Sequence, residues 1–322
     1  MLTLARVALL AVTLVISALA SAQGFPSRPI RMIVPYAPGG NVDISARIVG
    51  PGMGDLLGQT IIVENRPGGG GNVGAGLVAK ATPDGHTLLV GSSGPLSVNP
   101  VVFKDIPYDS VKDFAPVSLV QIVPLVLLVS PQFTVGSVKA LIDRAKAQPG
   151  KITIASAGTG TTNHFAIELF SAMTGAKLLH VPYKGSGPAL SELLGGQVNT
   201  MIDQLTSSMG FIRDGKLKVI AVTAAKRVSA LPNVPTLAES GVPNYEASTF
   251  LGILAPAGTP RAVIAKLNAA LRRVMNTAAV QERFRALGAD PGGSTPEQFA
   301  KMIRDELNKW RSLAQRANLK FN

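Results

Sequence analysis

Residues 118–131 read SLVQIVPLVLLVSP. The run is rich in Val, Leu and Ile, as strands buried on both faces are. It is longer than an ordinary strand of about five or six residues, and Pro124 interrupts it. Its apolar centre, IVPLVLLV (122–129), falls well short of the roughly 20 residues that span a bilayer. Length and proline together suit a segment that crosses between two sheets.

An α/β series lies on each side of this segment. Before it, the apolar strands IRMIVPY (30–36), TIIVEN (60–65) and HTLLVGSS (86–93) alternate with helical patterns over 42–57 and 73–81. After it, helices over 137–148, 163–175, 189–196 and 208–216 alternate with strands over 151–158, 178–183, 199–204 and 217–225. Gly175 suits a helix C-cap. A Pro-rich loop (229–248) leads to FLGILAP (250–256), expected to be the return crossing. Helices over 260–275, 279–288 and 296–317 follow, with Pro260 and Pro296 in first-turn positions. Trp310 is expected to pack onto the N-terminal unit. This order predicts an α/β, two-lobed protein with two interdomain strand crossings: lobe 1 from 23–122 and 247–322, lobe 2 from 123–246. Such architectures hold small ligands in the cleft between lobes.

Composition narrows the classes. The chain has 322 residues, 46% hydrophobic and 16% charged, which fits a folded core and excludes disorder. Residues 1–22 have the order of an export leader: Arg6, an apolar run over 7–20, then Ala20-Ser21-Ala22 before Gln23. The expectation is a periplasmic protein cleaved after Ala22. There is no cysteine, so a lipid anchor on cysteine, thiol catalysis and cysteine metal sites are excluded. The formal charge of +12 favours anionic partners. No basic run is interleaved with aromatics, so nucleic acid is not expected.

Enzyme signatures are missing. His86, His164 and His180 do not have zinc-site spacing, and neither a nucleophile elbow nor a P-loop lysine motif occurs. Gly69, Gly71 and Gly74 follow TIIVEN at dinucleotide-loop spacing. A nucleotide site would want an acid about 20 residues on. Position 94 is Gly, and the nearest acid, Asp84, sits in a turn. These glycines therefore read as a turn that lets the next helix start close to the sheet, and no cofactor is expected.

Instead, strand ends run into small polar turns that open helices: PYAPGGNVD (35–43), GSSGPLS (91–97), ASAGTGTTNH (155–164) and YKGSGP (183–188). Helix N-termini offer free N–H groups and partial positive charge, suited to a carboxylate. The candidate ligand residues are Tyr36, Ala37, Pro38, Gly39, Gly40 and Asp43 from the first turn, and Ser92 and Ser93 from the second. The third supplies Ser156, Ala157, Gly158, Thr159, Gly160, Thr161, Thr162 and His164. Tyr183 and Asp203 complete the set. Asp43 either meets ligand or stabilises its own helix, His164 either donates to an anion or caps and packs, and Asp203 either faces the cleft or serves the hinge. Lys184 suits a solvated rim.

PSRPIRMIVPYAPGGNVDISAR (26–47), GQTIIVENRPGGGGNVGAGLVAKATPDGHTLLVG (58–91), YDSVKDFAPVSLV (108–120), ASAGTGTTNHFAIELF (155–170), VPYKGSGPALSELLGGQV (181–198) and LAPAGTPRAVIAKLN (254–268) together resemble the Bug (TctC-like) extracytoplasmic solute receptors of tripartite tricarboxylate transporters. The resemblance covers essentially the whole chain. It implies a periplasmic-binding-protein (Venus-flytrap) fold and a small organic acid ligand held by PYAPGGNVD and ASAGTGTTNH, partly through water. It implies no catalysis and no cofactor, with transporter membrane subunits or a sensor protein as partner and a monomeric receptor. The chain departs from the family pattern at Gly94-Pro95-Leu96-Ser97, at Thr249-Phe250-Leu251 and at DQLTSSMG (203–210), where the far end of a ligand is expected. The competing reading is an exported hydrolase of a small carboxylate ester or amide.

Overall fold

The computed structural model describes residues 24–316; the leader expected over 1–22 lies outside them. Two similar parallel units carry the architecture. Strands β1 (Ile30–Val34), β2 (Ile61–Asn65) and β3 (Thr87–Ser92) lie in the order β2-β1-β3, all parallel. Helices α1 (Asn41–Leu57) and α2 (Asn72–Ala79) connect them, and a wide helical turn, Gly94–Val98, leads to the short α3 (Asn99–Val102). Strand β4 (Phe114–Val129) and helix α4 (Val138–Ala147) then lead into the second unit. There β5 (Thr153–Ser156), β6 (Leu179–Pro182) and β7 (Thr200–Gln204) lie in the order β6-β5-β7, again parallel. Helices α5 (Thr162–Thr174) and α6 (Ser186–Leu194) connect them, and α7 (Leu205–Arg213) follows. In each unit the strand order reverses at the first strand, β1 or β5. The loops leaving its carboxyl end therefore open into the crevice where α/β sheets take ligands.

The two units are joined through β4, whose 16 residues serve both sheets. Residues 114–124 pair antiparallel with β9 (Ser248–Pro256). From Leu125 onward the partners are β7 and β8 (Lys218–Val222), also antiparallel. The partner change falls at Pro124, the residue with no N–H to give a ladder. The expected crossing is therefore present at the expected segment. The expectation for 250–256 needs correction. Strand β9 stays in the first sheet along its whole length, between β3 and β4, and the chain returns just before it. There Ala247 N–H donates to Thr223 O at 2.9 Å. The buried Thr223 hydroxyl accepts from Leu125 N–H at 2.8 Å and donates to Ala247 O at 2.7 Å. One side chain thus ties the outgoing crossing to the returning one.

The tail contains α8 (Arg261–Met275), α9 (Ala278–Ala286), the two-residue β10 (Asp290–Pro291) on β4, and α10 (Pro296–Arg316). Buried residues of α10 at 299, 303, 310 and 314 share one face. Phe299 and Ile303 join the core around β3 and β9, where Phe299 meets Phe250 edge to face at 5.7 Å. Trp310 departs from expectation: it packs edge to face on Phe165 of α5, 4.6 Å between ring centres, in the core of the second unit. At about 1.5 Å per residue, 21 residues are long enough to reach both units.

Thr223→Val keeps the shape but removes the hydroxyl between the crossings. Leaving the buried Leu125 N–H without its partner should lower unfolding free energy by about 1–3 kcal/mol. Urea denaturation checks this, and an unchanged midpoint would show that the hydroxyl does not hold the hinge.

Candidate functional site

Between the units lies a small cavity. The lobes are closed over it, leaving a volume of about 20 Å³, room for a water or so. Tyr36, Gly40, Asn41, Val42 and Ser92 line it from the first unit; Ala157, Thr161, Thr162, Asn163, Ser186 and Gln204 line it from the second. Among the described residues that line it there is no Lys, Arg, His, Asp or Glu.

What replaces charge is the ends of helices. Among the described residues, α1, α5, α6 and α7 all begin at the cavity wall. Their N-caps are Gly40, Thr161, Gly185 and Gln204, and only Thr161 supplies a side-chain cap, accepting from His164 N–H at 3.3 Å. First-turn N–H groups lack intrahelical acceptors, so each uncapped start presents donors and partial positive charge.

The side chains are oriented by their neighbours. Ser45 Oγ donates to Asn41 O at 2.7 Å and so accepts from Gln121 Nε2 at 2.9 Å. That fixes the Gln121 amide, whose Nε2 also donates to Asn41 Oδ1. Asn41 Nδ2 is left buried without an acceptor. Across the cavity, Gln204 Nε2 donates to Asn163 Oδ1 at 2.8 Å and Asn163 Nδ2 donates to Ile202 O at 2.8 Å. Tyr36 OH donates to Gly70 O at 3.2 Å and lies 3.4 Å from Ser92 Oγ. Burial pushes this phenol up to about 12, against the hydrogen bond with Ser92, so it stays a neutral donor.

The candidate residues separate into four groups. Tyr36, Gly40, Ser92, Ala157, Thr161 and Thr162 line the cavity. Gly158, Thr159 and Tyr183 line a neighbouring chamber of about 300 Å³ that shares Tyr36 and Ala157 with the first. Ala37, Pro38 and Gly39 form a rim: Ala37 N–H donates to Lys184 O at 2.9 Å, and Gly39 faces Gly187. The remaining six, Asp43, Ser93, Ser156, Gly160, His164 and Asp203, stand behind the wall. Asp43 turns away, accepting from Gly39 N–H, Arg47 and Asn65 at 3.0–3.1 Å. Burial raises its pKa, but Arg47, Gly39 and Asn65 outweigh this and hold it below the ordinary value. Ser93 Oγ accepts from Phe250 N–H at 2.9 Å. Gly160 N–H donates to His164 Nδ1 at 3.2 Å. Asp203 is fully buried and accepts from Ser186, Ser207 and Ser208 at 2.5–2.6 Å. Burial drives its pKa up against those three hydroxyls; its visible work is to orient Ser186.

Asn41, Val42, Asn163, Ser186 and Gln204 were not among the candidates, although the first four lie in or beside the quoted turns. Each sits at a helix's cap or first turn, the positions the N-terminus argument itself singles out. Two departures from the family pattern fall elsewhere than expected: Leu96 and Phe250 are buried in the lobe 1 core, not at the cavity. The Gly69-Gly71-Gly74 turn behaves as read. A Cβ at Gly74 would stand 2.8 Å from Pro35 Cα, so α2 starts hard against the exit of β1.

One serine and one histidine do meet. Ser156 Oγ lies 2.6 Å from His180 Nε2. Ser156 is fully buried and lines neither chamber, and its Oγ also accepts from Gly158 N–H at 3.1 Å. The pair braces the turn after β5. His180 also stacks on His164, ring centres 4.3 Å apart, with Glu168 Oε1 3.6 Å from His164 Nε2. Burial pulls both imidazoles down to about 4, with His180 adding to the effect on His164. Burial also raises the Glu168 pKa.

These depressed values have a sign. Below about pH 6.5 the unfolded chain takes up protons that the folded rings refuse until about pH 4, so stability falls across that window. His180→Gln keeps a partner for Ser156 and removes one titration. The slope of unfolding free energy between pH 6 and 4.5 should become shallower by up to one proton, at most about 1.4 kcal/mol per pH unit. Denaturation across this range checks it; an unchanged slope would contradict the assignment.

The family described as Tripartite tricarboxylate transporter family receptor matches residues 45–319. Protein BugT of Bordetella pertussis is 40% identical over 319 residues, covering 99% of this chain and 98% of its own. Among solved structures, R. palustris Rpa4515 with adipate aligns at a TM-score of 0.89 and 35% identity, over 92% of this chain and 99% of its own. MatC (Rpa3494) from Rhodopseudomonas palustris with bound malate aligns at 0.87 and 34% identity, over 90% and 99%.

Proposed function

The chain belongs to the tripartite tricarboxylate transporter receptor family, and from that premise we propose that it captures a small organic carboxylate between its lobes and has no catalytic role. The observation that carries this reading is the cavity itself. Helix starts from both lobes converge on an uncharged polar space, and Asn41, which lines it, has a buried Nδ2 without an acceptor. A carboxylate supplies what that arrangement lacks: two acceptor oxygens and a negative charge. Relatives with adipate and with malate support the ligand class.

In this reading the leader is removed after Ala22 and the mature receptor works in the periplasm as a monomer. Among the described residues no helix is long and apolar enough to cross a membrane. The receptor hands its ligand to transporter membrane subunits or reports it to a sensor. Lobe 1 comprises 23–122 and 247–322 and lobe 2 comprises 123–246, a division supported by the partner change two residues on, after Pro124, and by the return at Ala247. The lobes part to admit the acid and close on it. Tyr36, Gly40, Ser92, Thr161 and Thr162 contact the ligand directly or through water, and Asn41, Asn163, Ser186 and Gln204 join them.

Mass spectrometry of small molecules released from the purified protein, with a thermal-shift screen of organic acids, tests the proposal. A ligand at 100 times its Kd should stabilise by about 2.7 kcal/mol. Failure of both to find any acid would overturn it. Asn41→Asp keeps the acceptor facing Gln121 but sets a carboxylate against a carboxylate. Affinity for the acid so identified should fall at least about 100-fold by calorimetry, roughly 3 kcal/mol, and an unchanged Kd would remove Asn41 from the site.

A further inference from the structure

The glycine-rich turn at 68–71 does more than open α2. It reaches across the cleft and meets the turn after β5. A second such meeting joins α6 of lobe 2 to the turn after β1. Both meetings are backbone against backbone. A Cβ at Gly70 would stand 2.1 Å from Thr159 O, and a Cβ at Gly187 would stand 2.2 Å from Pro38 O. Both are far inside the 3.0 Å that Cβ atoms do not cross. The atoms in the way are carbonyl oxygens, which cannot swing aside as a side chain would.

We propose that these two side-chain-free contacts, Gly70 against Thr159 and Gly187 against Pro38, are the latches that let the lobes close, and that they set ligand affinity without touching the ligand. The affinity part rests on the solute-capture reading; the closure part does not. The contacts join opposite lobes and flank the cavity, and the Ala37 N–H to Lys184 O bond crosses the cleft beside them. Gly70 is braced within lobe 1, where its carbonyl accepts from Tyr36 OH at 3.2 Å and Asn99 Nδ2 at 3.1 Å. The latch face is therefore a fixed surface. A methyl group there keeps the lobes apart, so the helix starts of one lobe no longer reach an acid held by the other.

The sequence supplies its own control. Gly69 and Gly70 are both left-handed, at φ +55° and +61°. Alanine is therefore strained equally at either position. A Cβ at Gly69 would meet only Asn72 Cβ of its own lobe, at 3.4 Å. Gly187 has no positive φ, so alanine there adds bulk across the cleft without left-handed strain.

Closure can be measured without a ligand because the chain has no cysteine. A Cβ at Gly40 would lie 3.4 Å from Ser186 Cβ, close to disulfide span. The oxidation rate of a Gly40→Cys/Ser186→Cys variant therefore follows the closed population. Adding Gly70→Ala or Gly187→Ala should slow it at least tenfold, and adding Gly69→Ala should leave it unchanged. An unchanged rate with Gly70→Ala or with Gly187→Ala overturns that latch, and slowing by Gly69→Ala equal to that by Gly70→Ala reduces the Gly70 effect to turn strain. Calorimetry with malate and adipate on the cysteine-free chain then separates the two readings. Weakening of at least tenfold in both latch variants alone supports the whole proposal. If neither acid binds the parent while the cross-linking rates differ, closure by the latches stands and the link to these acids falls. If an acid binds and the rates coincide, capture stands and the latches fall.

Discussion

Everything at the cleft depends on β4 belonging to two sheets. Its first eleven residues are laddered to β9 and its last five to β7 and β8. The two parallel units therefore face each other at a separation set by one continuous backbone. The buried Thr223 hydroxyl holds the returning chain to the same point. The backbone crosses between the units near Pro124 and at Ala247, and α10 bridges the outside with Phe299 on one core and Trp310 on the other. Bending at these crossings would leave each helix start fixed within its lobe and change only the distance across the gap.

In the proposed reading the cavity meets the acid's charge without a charged partner. Its donors are backbone N–H groups at helix starts, hydroxyls and amides, fixed by a network that runs back to Gln121, Ser45 and Asp203. The carboxylates near it are turned outward or capped: Asp43 belongs to Arg47 and Asn65, and Asp203 to three serines. Neutral donors held rigidly avoid the desolvation penalty of a buried cation while still favouring the anion where its charge sits.

Much of this was legible in the residues. The length of SLVQIVPLVLLVSP and its proline located the crossing, and apolar strands ending in small polar turns located the cavity. Reading 250–256 as a crossing failed because a strand wedged between β3 and β4 is as apolar as one that passes between sheets. Trp310 was placed on the wrong lobe because periodicity gives the buried face of a helix but not how far the helix travels. Gln204 was passed over because its role comes from convergence: helices far apart in sequence start at one point, and the strand end that carries it was not among the quoted turns. Ser186 stood inside a quoted turn, YKGSGP, from which only Tyr183 was taken as a candidate. The NRPGGGG turn was understood as scaffold, and its contact with Thr159 depends on the opposite lobe being present.

The position of β9 also governs the order in which the molecule can be built. It lies between β3 and β4, yet it follows them by more than a hundred residues. Until residues 248–256 exist, the facing edges of β3 and β4 have no partner, and open edges are templates for wrong pairing. The second unit, drawn from one uninterrupted stretch, has no such gap in its sheet. The topology thus makes lobe 2 the half that can consolidate first, while lobe 1 waits, half-laddered, for a late strand to slot into its middle.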